Sequence, residues 1–411
     1  MLDLRQIRDD PEGAKSALAR RGLDAEAVDG VLEADARRRE LLPELEQLRA
    51  EKNTASKRIG ELQREGRDAT EAIAEVRAVG EREKSLETDI AAAEKERDEL
   101  LLALPNLPDP SAPAEDEVLR EVGAGGATGR DHLELLGDLV DLEAGARVSG
   151  SRFAYLKGPL VRLEFALVQW ALETLEGKGF TPVVPPVLVR GEALFGTGFL
   201  PDTEQQIYRV PDDDLYLAGT SEVPLASLHA GQLLAEDELP LRYAGFSTCF
   251  RREAGAAGKD TRGIFRVHQF DKVEMFTFVV PEEAQAEHER LLAIEEELLQ
   301  ALEIPYRVVN IAVDDLGASA AKKYDLEAWL PGQERYRELT SCSNTTDFQA
   351  RRLDARYRPA ETKGPRHLHT LNGTAVAVGR TIIALVENHQ RDDGTIAIPE
   401  VLHRFGAPAE I

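Results

Sequence analysis

The stretch from about residue 28 to residue 104 restricts the fold of this 411-residue chain more than any other feature. It is poor in glycine and rich in Glu, Arg, Ala and Leu. Apolar residues at Leu41, Leu45, Leu48, Ala55, Ile59 and Leu62 recur on alternating steps of four and three, with Lys52 as one polar interruption. Leu86, Ile90, Ala93, Leu100 and Leu104 keep the same rhythm around Arg97. A 3.5-residue apolar repeat marks coiled-coil helices. Between the two series, REGRD (64–68) offers Gly66 for a turn. The pattern predicts an antiparallel helical hairpin whose arms, about 35 residues each, reach roughly 50 Å.

A hairpin that long has little core of its own and must project from something larger. Heptads alone fit a structural spacer or a dimerisation arm. Charge adds another possibility. Arg49, Lys52, Lys57, Arg58, Arg64 and Arg67 stand against Glu51, Glu61 and Glu65, a local +3 on a chain of net charge −25. This points to an anionic partner met near the tip. The acidic whole argues against general nucleic-acid binding, but screening over about 8 Å leaves room for a local basic patch.

Two cysteines, Cys249 and Cys342, cannot build a disulfide framework or a cysteine-rich zinc site. No apolar run is long enough for a membrane span, and MLDLRQIRDDPEGA has no signal-peptide core, so a cytoplasmic protein is expected. After the hairpin, NLPDPSAPAEDE (106–117) reads as an extended linker. The expected division is residues 1–105, a linker at 106–117, and a mixed α/β region at 118–411. In that region a helix is expected over about 160–176. GFTPVVPPVLV follows as a strand held to an edge by its prolines. LYLAGTSEVPL, LRYAGFSTCF, VHQFDKVEMFTFVV and YRVVNIAV also read as strands.

Three segments carry chemistry. STCFRRE and FRVHQFDKVEMF alternate like paired strands around the polar loop EAGAAGKDTRGI, which would place Arg251 and Glu253 on one face. Arginine can grip phosphate or carboxylate bidentately, and Glu253 could accept hydrogen bonds from an amino group. A surface salt-bridge ladder is the plain alternative. RELTSCSNTTDFQARR (337–352) sets Glu338 and Ser341 three apart, a carboxylate and a hydroxyl able to share Mg²⁺ with phosphate oxygens. HLHTLNGTAVAVGRTIIALVENHQ (367–390) runs from a strand through Gly373 into an apolar helix, with Arg380 in the first turns, where the helix dipole also favours phosphate. His268, His367, His369 and the two cysteines are read as structural.

These segments resemble the class II aminoacyl-tRNA synthetases. FRRE…VHQFDKVEMF is similar to their motif 2 (about 246–276), NGTAVAVGRTIIALVEN to motif 3 (about 367–390), and the helix with GFTPVVPP to motif 1 (about 160–190), with Pro186 at its hallmark proline. The hairpin, VSGSRFAYLKG, GTSEVPLA, SCSNTTDFQARR and IPEVL together resemble the seryl-tRNA synthetases over essentially the whole chain. The resemblance implies an α+β catalytic domain on an antiparallel sheet flanked by helices, joined to a tRNA-binding coiled-coil hairpin. It implies formation of seryl-adenylate from L-serine and ATP, transfer to tRNA(Ser), also to tRNA(Sec) where present, and a homodimer built through motif 1.

It assigns ATP to Arg251, Arg252, Glu253, Val267, Glu338, Leu339, Thr340, Ser341 and Arg380. Serine falls to Thr220, Ser221, Glu222, Arg251, Glu274, Asn372 and Thr374. Glu338 and Ser341 would hold Mg²⁺, with no zinc expected. Arg251, Arg380 and Glu338 would carry the catalysis. Lys259, Arg262 and Arg266 would meet the tRNA acceptor end or solvent. Thr374 stands where many relatives have serine, and Arg252 where a small residue is common. A non-catalytic tRNA-binding paralogue is the alternative, but it should have lost one of Arg251, Glu274, Glu338 or Arg380.

Overall fold

The structure, a computed structural model, describes residues 1–201, 206–254, 260, 262–361 and 364–411. The chain forms two compact units, Met1–Leu107 and Pro108–Ile411.

In the first unit the helices Glu26–Arg64 and Thr70–Ala103 pack against each other, joined through Gly66 at φ +68°. A positive φ is cheap only for glycine. Leu45, Leu48, Leu86 and Ile90 bury the seam, supported by Leu41, Leu42 and Val79. Both polar interruptions of the repeat find partners across the hairpin. Lys52 pairs with Glu83, and Arg97 lies 3.9 Å from the buried Asp35, which also meets Arg39 at 3.0 Å.

The expected basic tip is weaker than residues 49–67 imply. Arg49 is bound by Glu83 and Glu87, and the opposing residues 68–87 hold six acids (Asp68, Glu71, Glu75, Glu81, Glu83, Glu87) against Arg77, Arg82 and Lys84. That −3 cancels the +3 of the other arm. Exposed Lys57 and Arg58 make no ion pair among the described residues.

The second unit is built on eight strands: β1 (Glu117–Val122), β2 (Thr181–Val183), β3 (Leu241–Phe250), β4 (Gln269–Val279), β5 (Tyr306–Asn310), β6 (Lys322–Leu330), β7 (Arg335–Asn344) and β8 (His369–Ala377). Their order is β1-β5-β6-β7-β8-β4-β3-β2, antiparallel except for the β3–β2 pair. The helices Pro159–Glu176, Ala284–Ala301 and Val378–Asn388 contribute to one core with the sheet. Strand alternation divides β4: Val273, Met275 and Val279 join that core, while Lys272 and Glu274 point to the other face. Among the described residues no helix is long and apolar enough to cross a membrane.

The proline-rich residues 108–116 lie along the second unit. Asp109 N donates to Ala321 O, Val313 N donates to Pro113 O, and Ala112 is buried with Val313, Leu316 and Ala320. Three local expectations need correction. β3 ends at Phe250, so Arg251 and Glu253 lie beyond the strand, with Glu253 at φ +49°. LYLAGTSEVPL is not one strand but a short strand Leu215–Leu217 followed by the helical turn Glu222–Ala226, because Gly219 and Thr220 leave extended structure. Gly373 lies inside β8, four residues before the strand ends at Ala377.

Candidate active site

A pocket of about 190 Å³ opens over β4, β8 and β7. At one end Glu274, 2% exposed, sits opposite Thr374 in the register of β4 and β8, and Thr374 Oγ1 donates to Glu274 Oε2 at 3.5 Å. Lys272, two residues earlier on the same strand face, ion-pairs with Glu274 and donates to Thr220 Oγ1 at 2.8 Å. Glu222 begins the helical turn behind Thr220, and its Oε1 accepts from Gln349 Nε2 at 2.7 Å. Arg251 donates to Gly219 O at 3.0 Å and lies over the Phe270 ring.

Burial pushes both carboxyl groups up. Glu222 rises to about 7, through desolvation and then Glu274. Glu274 is also raised by desolvation, with Lys272 and Arg251 opposing the shift. This end therefore combines carboxyl groups with two cations, a lining suited to a zwitterion.

The other end is made by β7 and the start of helix Val378–Asn388. A regular strand puts residues three apart on opposite faces. Here Leu326 pairs with Thr340 but Glu327 with Glu338, so Leu339 is an extra residue. The bulge changes the phase, and Ser341 Oγ donates to Glu338 Oε1 at 3.3 Å. Arg380, third residue of the helix, donates to Glu338 O at 3.0 Å and approaches its carboxylate at 3.3 Å. Burial would raise Glu338, but Arg380, Lys323 and Arg251 outweigh it and hold the carboxyl below its usual value.

The guanidinium groups of Arg337 and Arg380 lie 3.8 and 4.7 Å from the centre of the Phe265 ring. Asp260 is gripped by Arg337 at 2.7 Å, with Arg266 at 3.6 Å.

Of the residues expected at the site, Thr220, Glu222, Arg251, Glu253, Val267, Glu274, Glu338, Leu339, Ser341, Asn372, Thr374 and Arg380 line this one pocket. Three side chains do not. Ser221 is buried and donates to Gly245 O, because it sits where the chain turns into the helix. Thr340 donates to Glu295 Oε2 at 2.8 Å on the far side of β7. Arg252 is exposed, and its backbone N donates to Gln206 O.

One oxygen of Glu253 is already engaged, with Arg266 donating to its Oε2 at 2.6 Å. Arg266 thereby turns inward, contrary to the expected tRNA or solvent role, while Arg262 meets Asp131 at 3.0 Å. Lys259 lies outside the described residues. Sequence reasoning missed Lys272, Phe265 and Gln349. Alternation alone would have found Lys272, since it shares a strand face with Glu274; Phe265 and Gln349 carry no comparable signal.

For a divalent cation, the donors at hand are hard oxygens: the Glu338 carboxylate and the Ser341 hydroxyl, on one face of the bulged strand. Buried Asp325, raised to about 7 mainly by desolvation, lies opposite Ser341 in register and leaves Oδ1 without a hydrogen-bond partner among the described residues. Oxygen donors of this kind suit Mg²⁺ more than softer metals.

An antiparallel sheet with a motif 2 hairpin, a bulged strand carrying Glu338 and Ser341, and an arginine-bearing terminal helix defines a class II aminoacyl-tRNA synthetase core. Residues 207–389 match the model of the tRNA synthetase class II core domain (G, H, P, S and T), and residues 1–108 match that of the seryl-tRNA synthetase N-terminal domain. The chain belongs to the seryl-tRNA synthetase family. It is 50% identical over 430 residues to the serine–tRNA ligase of Streptomyces coelicolor, covering 100% of this chain and 99% of that one. It is 51% identical to the ligase of Acidothermus cellulolyticus, with 98% of both chains covered. Among solved structures, seryl-tRNA synthetase from Pyrococcus horikoshii complexed with ATP aligns at a TM-score of 0.95 and 44% identity, over 100% and 99% of the two chains.

Proposed function

We propose that this pocket joins L-serine to ATP and that the chain then passes the seryl group to tRNA(Ser). The observation that carries the proposal is the single pocket itself. It sets Glu222, Glu274, Thr374 and Arg251 beside Glu338, Ser341 and Arg380. Arg251 lies between the two ends and serves the serine carboxylate and the α-phosphate together. Attack of that carboxylate on the α-phosphate, with pyrophosphate leaving in line, gathers negative charge. Preorganised cations are what such a step needs.

Glu222 and Glu274 take the serine ammonium and hydroxyl. A site that hydrogen-bonds a substrate hydroxyl can reject its deoxy analogue by on the order of 10⁴–10⁵, because buried polar groups would be left unpaired. Arg380 serves the far phosphates, and to do so it leaves Glu338. Mg²⁺ held by Glu338 and Ser341 would supply charge neutralisation at the phosphates. Adenine lies by Phe265, Val267 and Glu253.

The hairpin is the arm that meets tRNA, reading double-helical shape, with Lys57 and Arg58 among its cations that have no ion pair with a described residue. Two copies associate through the helix Pro159–Glu176 and its neighbours, where Phe165 and Val184 are 57% and 79% exposed. Amino-acid-dependent exchange of pyrophosphate into ATP tests the assignment. Exchange with serine, and little with alanine or glycine, is expected; exchange with threonine in its place overturns it.

A further inference from the structure

Gln349 lies in the helix Phe348–Leu353, fully buried behind the amino-acid end of the pocket. Its amide is held at both ends. Nε2 donates to Glu222 Oε1 at 2.7 Å and to Thr197 O at 3.4 Å, while Oε1 accepts from Thr370 Oγ1 at 2.9 Å.

A hydroxyl carries one proton, so the order of donors can be followed. The hydroxyls of Thr345 and Thr370 meet at 2.5 Å, and with Thr345 donating there the Thr370 hydroxyl donates to the Gln349 oxygen, while the amide nitrogen faces two acceptors, the Thr197 carbonyl and the Glu222 carboxylate. The amide oxygen is then committed, and the NH₂ group must face Glu222. A chain of donors thus ends on one carboxylate oxygen of a residue that is 8% exposed and lines the pocket. The second oxygen of Glu222, which has no hydrogen-bond partner among the described residues, is left for a ligand.

We infer that Gln349 is a positioning residue for amino-acid selection, acting through Glu222 by turning one carboxylate oxygen toward the substrate's ammonium group. The inference rests on the proposal that Glu222 belongs to the serine end. Other charged groups act on Glu222 from neighbouring elements: Glu274 and Lys272 on β4, and Arg251 beyond β3. Glu274 favours the protonated form, and the two cations and the Gln349 donor favour the ionised one. Without Gln349 the balance moves toward protonation.

The test measures KM for serine and for ATP separately in pyrophosphate exchange, across the neutral pH range, for Gln349→Met, Thr370→Val and Glu222→Ala. Loss of a hydrogen bond to a charged group corresponds to about tenfold or more in affinity. Gln349→Met should therefore raise KM for serine about tenfold or more, with KM for ATP nearly unchanged. The acidic limb of kcat/KM for serine should move to higher pH. Thr370→Val removes only the hydroxyl, lets the amide turn, and should shift both quantities the same way by less. It gives the reading if Gln349→Met fails to fold.

An unchanged serine KM and pH profile in Thr370→Val and Gln349→Met, beside a raised serine KM in Glu222→Ala, overturns the positioning role alone. An unchanged serine KM in Glu222→Ala overturns the assignment of Glu222 itself. Equal rises in both KM values show a general packing defect and also overturn the positioning role.

Discussion

Lys272 and Glu274 form an ion pair with both side chains nearly out of water, 8% and 2% exposed. Removing one partner from such a pair leaves an uncompensated buried charge, commonly at about 3–5 kcal/mol. Lys272→Met should therefore destabilise the fold by a few kcal/mol in denaturant unfolding near neutral pH. The deficit should shrink on acidification, because Glu274 can then escape its charge by protonation. Glu222 shows the converse. Its folded value of about 7 lies above the ordinary value of 4.5, so the stability tied to it is present below about 4.5 and lost as pH rises through 7. Glu222→Gln should thus stabilise the protein above pH 7 by on the order of 2–3 kcal/mol, while weakening serine binding. Equal stabilities at pH 8 would contradict that. Most of these site residues were legible because strand alternation and motif spacing announce them. Gln349 and Phe265 were not, because their roles come from what packs beside them. Arg266 was read as outward because nothing in a linear charge run reveals that Glu253 will turn back through a positive φ.

At the scale of elements, the hairpin was legible in full from its heptads, since both arms must bury the same seam. Its electrostatics were not. Residues 49–67 look basic only until the opposing arm is folded against them, and Arg49 and Lys52 are then consumed by Glu83 and Glu87. Substitution of Arg49 should accordingly change stability by no more than about 1 kcal/mol and do little to tRNA affinity. Reversing Lys57 and Arg58 to glutamate should weaken tRNA binding and flatten its salt dependence, as expected when phosphate contacts are lost. Pyrophosphate exchange should be untouched. Filter-binding titrations at several salt concentrations separate the two cases, and a fall in exchange equal to the fall in tRNA binding would refute the division of labour. The strand that carries Glu338 and Ser341 shows the limit of pattern reading in another way. Spacing placed Glu338 and Ser341 three apart, yet a regular strand would hold them on opposite faces. Only the bulge at Leu339, which no single residue type signals, brings them together.

At the scale of the whole molecule, a net charge of −25 sets the sign of two associations against each other. Two identical acidic copies repel, so salt should strengthen any contact between them. The surface proposed for that contact is apolar: Val148, Tyr155, Val161, Phe165 and Val184 are each between 38% and 79% exposed. Burial of such residues contributes about 25 cal/mol per Å² and is insensitive to charge screening. Dimerisation should therefore tighten as salt rises, whereas tRNA binding, which releases counterions, should weaken. Phe165→Glu adds a charge to each side of the contact, and under two-fold symmetry it does so in both copies. Sedimentation equilibrium should then show the wild-type chain as a dimer and the variant shifted toward monomer, with salt restoring association only in part. A wild-type chain that stays monomeric at micromolar concentration and high salt would remove the dimer from this account.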